Sequence, residues 1–317
     1  MPKTHRIRIN DRDLRTLATL GEYGVLDRSL CHALCFTDFS PEWCRRNLCR
    51  LAGCGLIRAT TLQVWHDEES RGGRIPTLYS LTGAGAEVVH ARTGTYPRRV
   101  LRSDPSPMTF WHRLQVVRVR VAFDTAAASV GLPPLSWVME QDIRADAPKD
   151  AMPQHRRMLY HEFADERGGI VTCRPDAAAV MRIPHPSGDE AKVSTLAIHF
   201  EIDRSREGVV QCQGKLPGYA ALFESRAFDR YWPDLRNSVH RVFWVVPSPQ
   251  RIASLIAAFR GAPIASAFRF TTFADCVPNR VLTEPVWRDL AGTPMTLYRS
   301  ASRHEPPSRE ADALAPA

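Results

Sequence analysis

The sequence predicts an α+β protein built as two domains, a small helical one followed by a larger one organised on a mixed sheet. Three observations carry this expectation. The 317 residues exceed one typical domain and suit two, each with enough chain to bury a core. The first third reads as helices closed by a pair of short strands. The remainder alternates short runs rich in β-branched and aromatic residues with amphipathic segments. The formal charge of +8 is also unevenly divided: residues 1–120 hold 19 Lys and Arg against 11 Asp and Glu, and residues 121–317 hold 23 of each kind. A basic N-terminal part on a neutral C-terminal part is expected where the first part meets a polyanion.

Residues 11–22 set Leu14, Leu17, Ala18 and Leu20 at near-helical spacing, with Asn10 or Asp11 as cap and Gly24 as terminator. Asp27 caps a second helix whose apolar side is Leu30, Ala33 and Leu34. Ser40-Pro41-Glu42 opens a third, because Ser accepts from the orphan amides and Pro fits the first helical position. That helix runs to about Ala52 and stops at Gly53 or Gly55. Within it Cys44, Leu48 and Leu51 form one stripe to be buried, while Arg45, Arg46, Cys49 and Arg50 fall on the other side. Helix, helix, short turn and an arginine-rich helix is the helix-turn-helix order, in which the last helix enters the major groove of duplex DNA. The alternative is a solvated surface helix.

Leu56-Ile57-Arg58 then leads into a strand at 61–65, a polar loop with Gly72-Gly73, and a second strand at 77–82 before Gly85 opens another helix. With the third helix, these residues resemble the winged-helix family of bacterial DNA-binding domains. The resemblance implies a double-stranded DNA-binding domain over residues 1–95, with Arg71 and Arg74 at the wing beside Arg45, Arg46 and Arg50 on the helix. Arginine contacts to phosphate are strong, salt-dependent and largely blind to sequence. Cys31, Cys35, Cys44, Cys49 and Cys54 form no C-x-x-C pair and read as small buried hydrophobes, not a zinc site. No secretory signal precedes the cysteines, so reduced thiols in the cytoplasm are expected. No apolar run approaches the roughly 20 residues of a membrane helix.

Residues 96–107, with Pro97, Pro105, Pro107 and Arg98-Arg99, have the composition of a linker. An amphipathic helix follows at 112–130, then strands at 135–143, at 170–181 (interrupted by Pro175) and at 195–202. A helix is expected over 209–228, weakened at Pro217-Gly218. A strand at 242–246, a helix at 252–259 and a strand at 268–273 follow it. Residues beyond about 300, rich in Pro, Ala, Ser and charge, are expected to be disordered. On the third of these strands Glu201 and Asp203, two apart, share a face with His199. Two carboxylates on one face repel unless a cation, a proton or a basic partner lies between them, so they form a metal site or a salt-bridged cluster. His199 is a ligand, an acid or a structural residue. Tyr219 lies four residues after Lys215, on the same helical face, and either joins that cluster or packs.

Pro175-Asp176 followed by Glu201-Ile202-Asp203, in this order of elements, resembles the PD-(D/E)XK nuclease fold. The resemblance implies a nuclease-like domain over 108–299 in which Asp176, Glu201 and Asp203 bind Mg2+ or Mn2+ and a lysine assists. Asp203 stands where that pattern has lysine, and Lys215 is its displaced counterpart, with a structural ion pair as the alternative. The whole assembly over about residues 10–250, including Phe200-Glu201-Ile202-Asp203-Arg204, Glu207, Lys215 and Tyr219, is similar to the replication-relaxation family of plasmids and mobile elements. That resemblance implies a DNA-binding protein tied to replication and DNA relaxation. With Asp203 in place of the lysine, the expectation is a degenerate nuclease-like domain that serves a homodimer or contacts to replication or mobilisation proteins. An active metal-dependent endonuclease or nickase and a transcriptional repressor are the alternatives.

Overall fold

The computed structural model describes residues 8–61, 76–101, 106–165, 167–184, 193–205, 207–235 and 238–298. The architecture is mixed α+β, and the chain divides into two compact units, Met1–Val121 and Ala122–Ala317.

In the first unit α1 (Asp11–Tyr23) begins with a reciprocal cap. The Asn10 side chain accepts from the Asp13 amide at 2.9 Å and the Asp13 carboxylate accepts from the Asn10 amide at 3.0 Å. Gly24, at φ 85°, ends the helix as its composition predicts. Strand β1 (Leu26–Asp27), absent from the sequence reading, leads into α2 (Arg28–Cys35), which the Asp27 carboxylate caps at Leu30 N, 2.8 Å. Ser40 caps α3 (Pro41–Gly53). Strands β2 (Ile57–Thr60) and β3 (Leu78–Leu81) precede α4 (Gly83–Thr93), and the antiparallel sheet has the order β1-β3-β2. Strand β2 thus starts at Ile57, ahead of the expected 61–65. Most of that predicted strand, the Gly72-Gly73 loop, Arg71 and Arg74 lie outside the described residues, as does the expected disordered tail. The core holds Leu17, Leu20, Leu48, Leu51, Leu78 and Leu81. Helix α5 (Pro107–Ser129) contributes Phe110, Leu114, Val117 and Val121 to it. Cys31, Cys35 and Cys44 are buried thiols, but Cys49 is exposed, a correction to the uniform expectation.

The second unit is organised on a seven-stranded mixed sheet of order β12-β11-β10-β9-β8-β7-β4. Its strands are β4 (Ser136–Met139), β7 (Ala177–Pro184), β8 (Val193–Ile202), β9 (Ser238–Val246), β10 (Phe268–Thr272), β11 (Trp287–Arg288) and β12 (Pro294–Met295). The β8-β9 and β9-β10 pairs are parallel and the others antiparallel. The parallel pair β8-β9 needs a crossover, supplied by α6 (Val209–Gln213) and α7 (Leu216–Glu224); α8 (Pro249–Ala258) connects β9 to β10. Phe123 of α5 packs edge-on against Phe200 of β8 at 5.1 Å and lies 6.4 Å from Phe243 of β9. On the opposite face Trp244 meets Phe259 after α8 at 5.4 Å. Alternation along β8 therefore puts Phe200 on the α5 side and His199 and Glu201 on the α7 side.

Several expectations are corrected here. Residues 170–181 form two strands: β6 (Ile170–Cys173) pairs with the unforeseen β5 (His161–Ala164) in a separate ribbon, and β7 belongs to the main sheet. The break falls at Arg174-Pro175-Asp176, because Pro cannot donate to a ladder, so Asp176 precedes β7 and does not lie on a strand. The single helix expected over 209–228 is α6, α7 and a 3-10 turn at Ala227–Arg230. Pro217 sits in the first turn of α7, and Gly218 there faces the Thr172 carbonyl of β6 at a distance no Cβ tolerates. Strands β11 and β12 carried too few residues to be read from periodicity.

Candidate functional site

Glu201 lies near the C-terminal end of β8, one of two neighbouring parallel strands, which in such sheets is where loops and helix starts converge. Its side chain is almost wholly buried and carries two bonds. Lys215 Nζ donates to Oε2 at 2.8 Å, and the Tyr219 hydroxyl donates to Oε1 at 2.5 Å. Lys215 ends α6's turn and starts α7, so the i, i+4 pair Lys215 and Tyr219 faces one carboxylate from one helical face. Lys215 Nζ also reaches Glu207 Oε2 at 2.9 Å and lies 5.6 Å from the Trp244 ring centre. Asp176 is tied to the same strand end: its amide donates to Phe200 O at 2.9 Å and its Oδ2 accepts from Ile202 N at 2.7 Å. Burial pushes the Glu201 carboxyl up to about 7, with Asp176 adding to the rise and Lys215 and Tyr219 opposing it. Burial alone would lower the Lys215 ammonium, but Glu201 and Asp176 outweigh it and hold it well above its ordinary value, so it stays charged.

Asp203 does not share this environment. β8 ends at Ile202, and the Asp203 carboxylate turns to Arg251 of α8, Nε to Oδ2 at 2.5 Å, while Oδ1 accepts from Ser205 N at 2.7 Å. Arg251 also donates to the Glu207 carbonyl at 2.7 Å. The two carboxylates predicted to need a cation between them thus each have their own, Lys215 for Glu201 and Arg251 for Asp203. Arg251 was missed by sequence reasoning because its only local mark is its place in a helix capped by Ser248. Divalent Mg2+ or Mn2+ requires several carboxylate oxygens at one point. Here both Glu201 oxygens and the Asp203 carboxylate are engaged by protein groups. Among the described residues no group of three or more His, Cys, Asp or Glu could hold a metal ion. The oxygens such an ion would take from Glu201 and Asp203 are held by Lys215, Tyr219, Arg251 and the Ser205 amide, so this arrangement of the donor set does not fit it.

His199 is fully buried, and neither of its ring nitrogens has a hydrogen-bond partner among the described residues. His240 lies 5.9 Å away and Tyr219 6.4 Å, with Phe223, Phe228, Tyr231 and Trp232 completing an aromatic enclosure. Burial holds His199 well below its ordinary value, reinforced by His240 and His161; burial also brings His161 down to about 3 and His240 down to about 4, where Arg230 and Arg226 add to the lowering. These histidines fold neutral, with folded values below the unfolded one. Their stabilising contribution is present above about pH 6.5 and lost as pH falls through that value, since the unfolded chain then takes up protons the folded one refuses. The expected slope from His199 alone approaches about 1.4 kcal/mol per pH unit. Thermal unfolding of the parent and of His199→Phe, followed by circular dichroism between neutral and mildly acidic pH, checks this, because the comparison cancels the opposing slope from Glu201; equal pH slopes in the two proteins remove the His199 contribution.

In the first unit α3 turns Glu42, Trp43, Arg45, Arg46, Cys49 and Arg50 outward. Arg45 and Arg46 both bind Glu42, at 2.7 Å and 3.1 Å, on the exposed surface. Arg50 differs: it binds the wholly buried Asp13 of α1, which also accepts from Asn47 Nδ2 at 2.7 Å. Arg50 therefore ties α3 to α1. No described helix is long and apolar enough to cross a membrane.

No curated protein and no solved structure matches the chain. A family model described as replication-relaxation matches residues 17–233, which run from α1 to the turn ahead of β9 and include both the α3 surface and the Glu201 cluster. The chain belongs to the replication-relaxation family.

Proposed function

We propose that this chain is a duplex-DNA-binding protein acting in the replication or relaxation of a plasmid or mobile element, with a second unit that no longer cuts DNA. The order of elements in the first unit supports a winged helix with α3 as the recognition helix. The charge excess confined to residues 1–120 supports a polyanionic partner. The observation that carries the non-cutting reading is the Glu201 carboxylate, whose two oxygens are held by Lys215 and Tyr219. The PD-(D/E)XK resemblance then describes the descent of the second unit, which serves self-association or contact with replication or mobilisation proteins.

A gel-shift titration over a range of salt concentrations tests the first half. Arg45→Ala with Arg46→Ala is expected to weaken duplex binding and to reduce the slope of log affinity against log salt by about two, one for each phosphate contact. Glu42→Gln frees both guanidinium groups and is expected to move affinity the other way. Unchanged affinity in the double variant removes α3 from the interface. For the second half, supercoiled plasmid incubated with the protein and Mg2+ or Mn2+ is expected to stay intact.

An active nuclease is the second reading, favoured by one observation: Lys215 does reach the carboxylate, at 2.8 Å from Glu201. Metal-dependent nicking that disappears in Glu201→Ala would establish it.

A further inference from the structure

We propose that Trp43 reads sequence by packing against thymine methyl groups in the major groove; the proposal rests on the duplex-binding reading above and deepens it. Trp43 is the third residue of α3 and is 56% exposed, with Arg46, three residues on, as its neighbour along the helix surface. Burying a large apolar side chain is worth about 1.5–3 kcal/mol, so an indole left in water in the first turn of this helix keeps that energy available for contact with a partner. The ring is backed by protein. Phe39 lies 6.0 Å from it at 56°, and the Arg12 guanidinium of α1 sits 3.5 Å from the centre of the Phe39 ring. Arg12 lies over the Phe39 ring, and Phe39 backs the indole at a tilted angle, which limits the indole's freedom before any ligand arrives and lowers the ordering cost of contact.

Position and chemistry select the partner. The first turn of a recognition helix is the part that reaches base edges, and Trp43 is in the first turn. Among the base edges of the major groove, the C5-methyl of thymine is the apolar group, and large apolar side chains recognise it by contact. Arg46, beside Trp43 on the helix surface, supplies positive charge complementary to a duplex. A base-edge contact by an uncharged side chain adds discrimination without adding a phosphate contact.

The test uses the full chain and three fluorescein-labelled duplexes: alternating A·T, the same duplex with deoxyuridine in place of thymidine, and alternating G·C. Fluorescence anisotropy reads the affinity, and circular dichroism checks that the exposed-site variant Trp43→Ala keeps its fold. The parent protein is expected to prefer thymine over uracil by about fourfold for each methyl contacted, which corresponds to about 0.8 kcal/mol. Trp43→Ala is expected to bind the two A·T duplexes equally, with its salt dependence unchanged. A thymine preference that survives in Trp43→Ala, or duplex binding without any such preference in the parent, overturns the inference and leaves the DNA reading standing; the indole then belongs to a protein interface. Failure of the parent to bind any of the three duplexes overturns the DNA reading itself.

Discussion

Lys215→Met is expected to destabilise the second unit by up to about 3 kcal/mol in mildly alkaline solution, about two pH units above the Glu201 value, because it leaves the almost wholly buried Glu201 carboxylate without its cation. The figure sits at the low end for a broken buried pair, since Lys215 itself is a third exposed and Tyr219 continues to donate to Glu201. The pH dependence identifies the cause. Glu201 has a folded value raised to about 7, above that of an unfolded glutamate, so its contribution is fully present below the unfolded value and lost as pH rises through the folded one. Removing Lys215 raises the folded value further, and the gap between variant and parent is expected to narrow on acidification as Glu201 takes up a proton. Comparing the two proteins at each pH cancels the histidine contribution. Glu201→Gln in the Lys215→Met background is expected to restore most of the loss, because an amide hydrogen-bonded by Tyr219 needs no counterion. Chemical denaturation of the four proteins of this cycle makes the measurement. A Lys215→Met protein as stable as its parent would show that the ion pair is not structural, and would return Lys215 to the catalytic role the nuclease resemblance implies.

Arg50→Ala is expected to cost the first unit about 2–3 kcal/mol, the loss of a charge-assisted hydrogen bond to a buried carboxylate. Asn47 and the Asn10 amide remain on Asp13 and limit the damage. Arg45→Ala and Arg46→Ala, whose partner Glu42 is exposed, are expected to leave the melting temperature within a degree or so. Differential scanning calorimetry of the three single variants separates the classes. Equal melting temperatures for all three would remove the anchoring role assigned to Arg50 and place it with the other two.

The parts of this molecule that were legible in the sequence are those governed by interactions within a turn of chain. Asn10, Asp27 and Ser40 each cap the helix their spacing announces, and Gly24 ends α1 with the positive φ for which glycine is suited. Lys215 and Tyr219 were read as one helical face, and that face meets Glu201. The errors came where a local signal was absent or divided. Pro175 was read as a flaw in one strand, yet it separates two strands of different sheets. β11 and β12 have two residues each, too few for any period to register. Glu201 and Asp203 were read as needing one cation between them, yet each takes its own from a different helix, Lys215 and Arg251.

By itself, then, the sequence determined the α+β class, the basic first third, the capped helices of the first unit and the membership in a family that the match over residues 17–233 establishes. Tertiary structure alone decided which cation each carboxylate takes. Arg50 is 37 residues from Asp13, and Arg251 is 48 from Asp203. His161, His199 and His240 come from three strands into one apolar enclosure. The physical reason is range: propensity, capping and periodicity act between residues three or four apart, whereas the desolvation that makes a buried charge depend on one partner exists only after distant elements have packed around it.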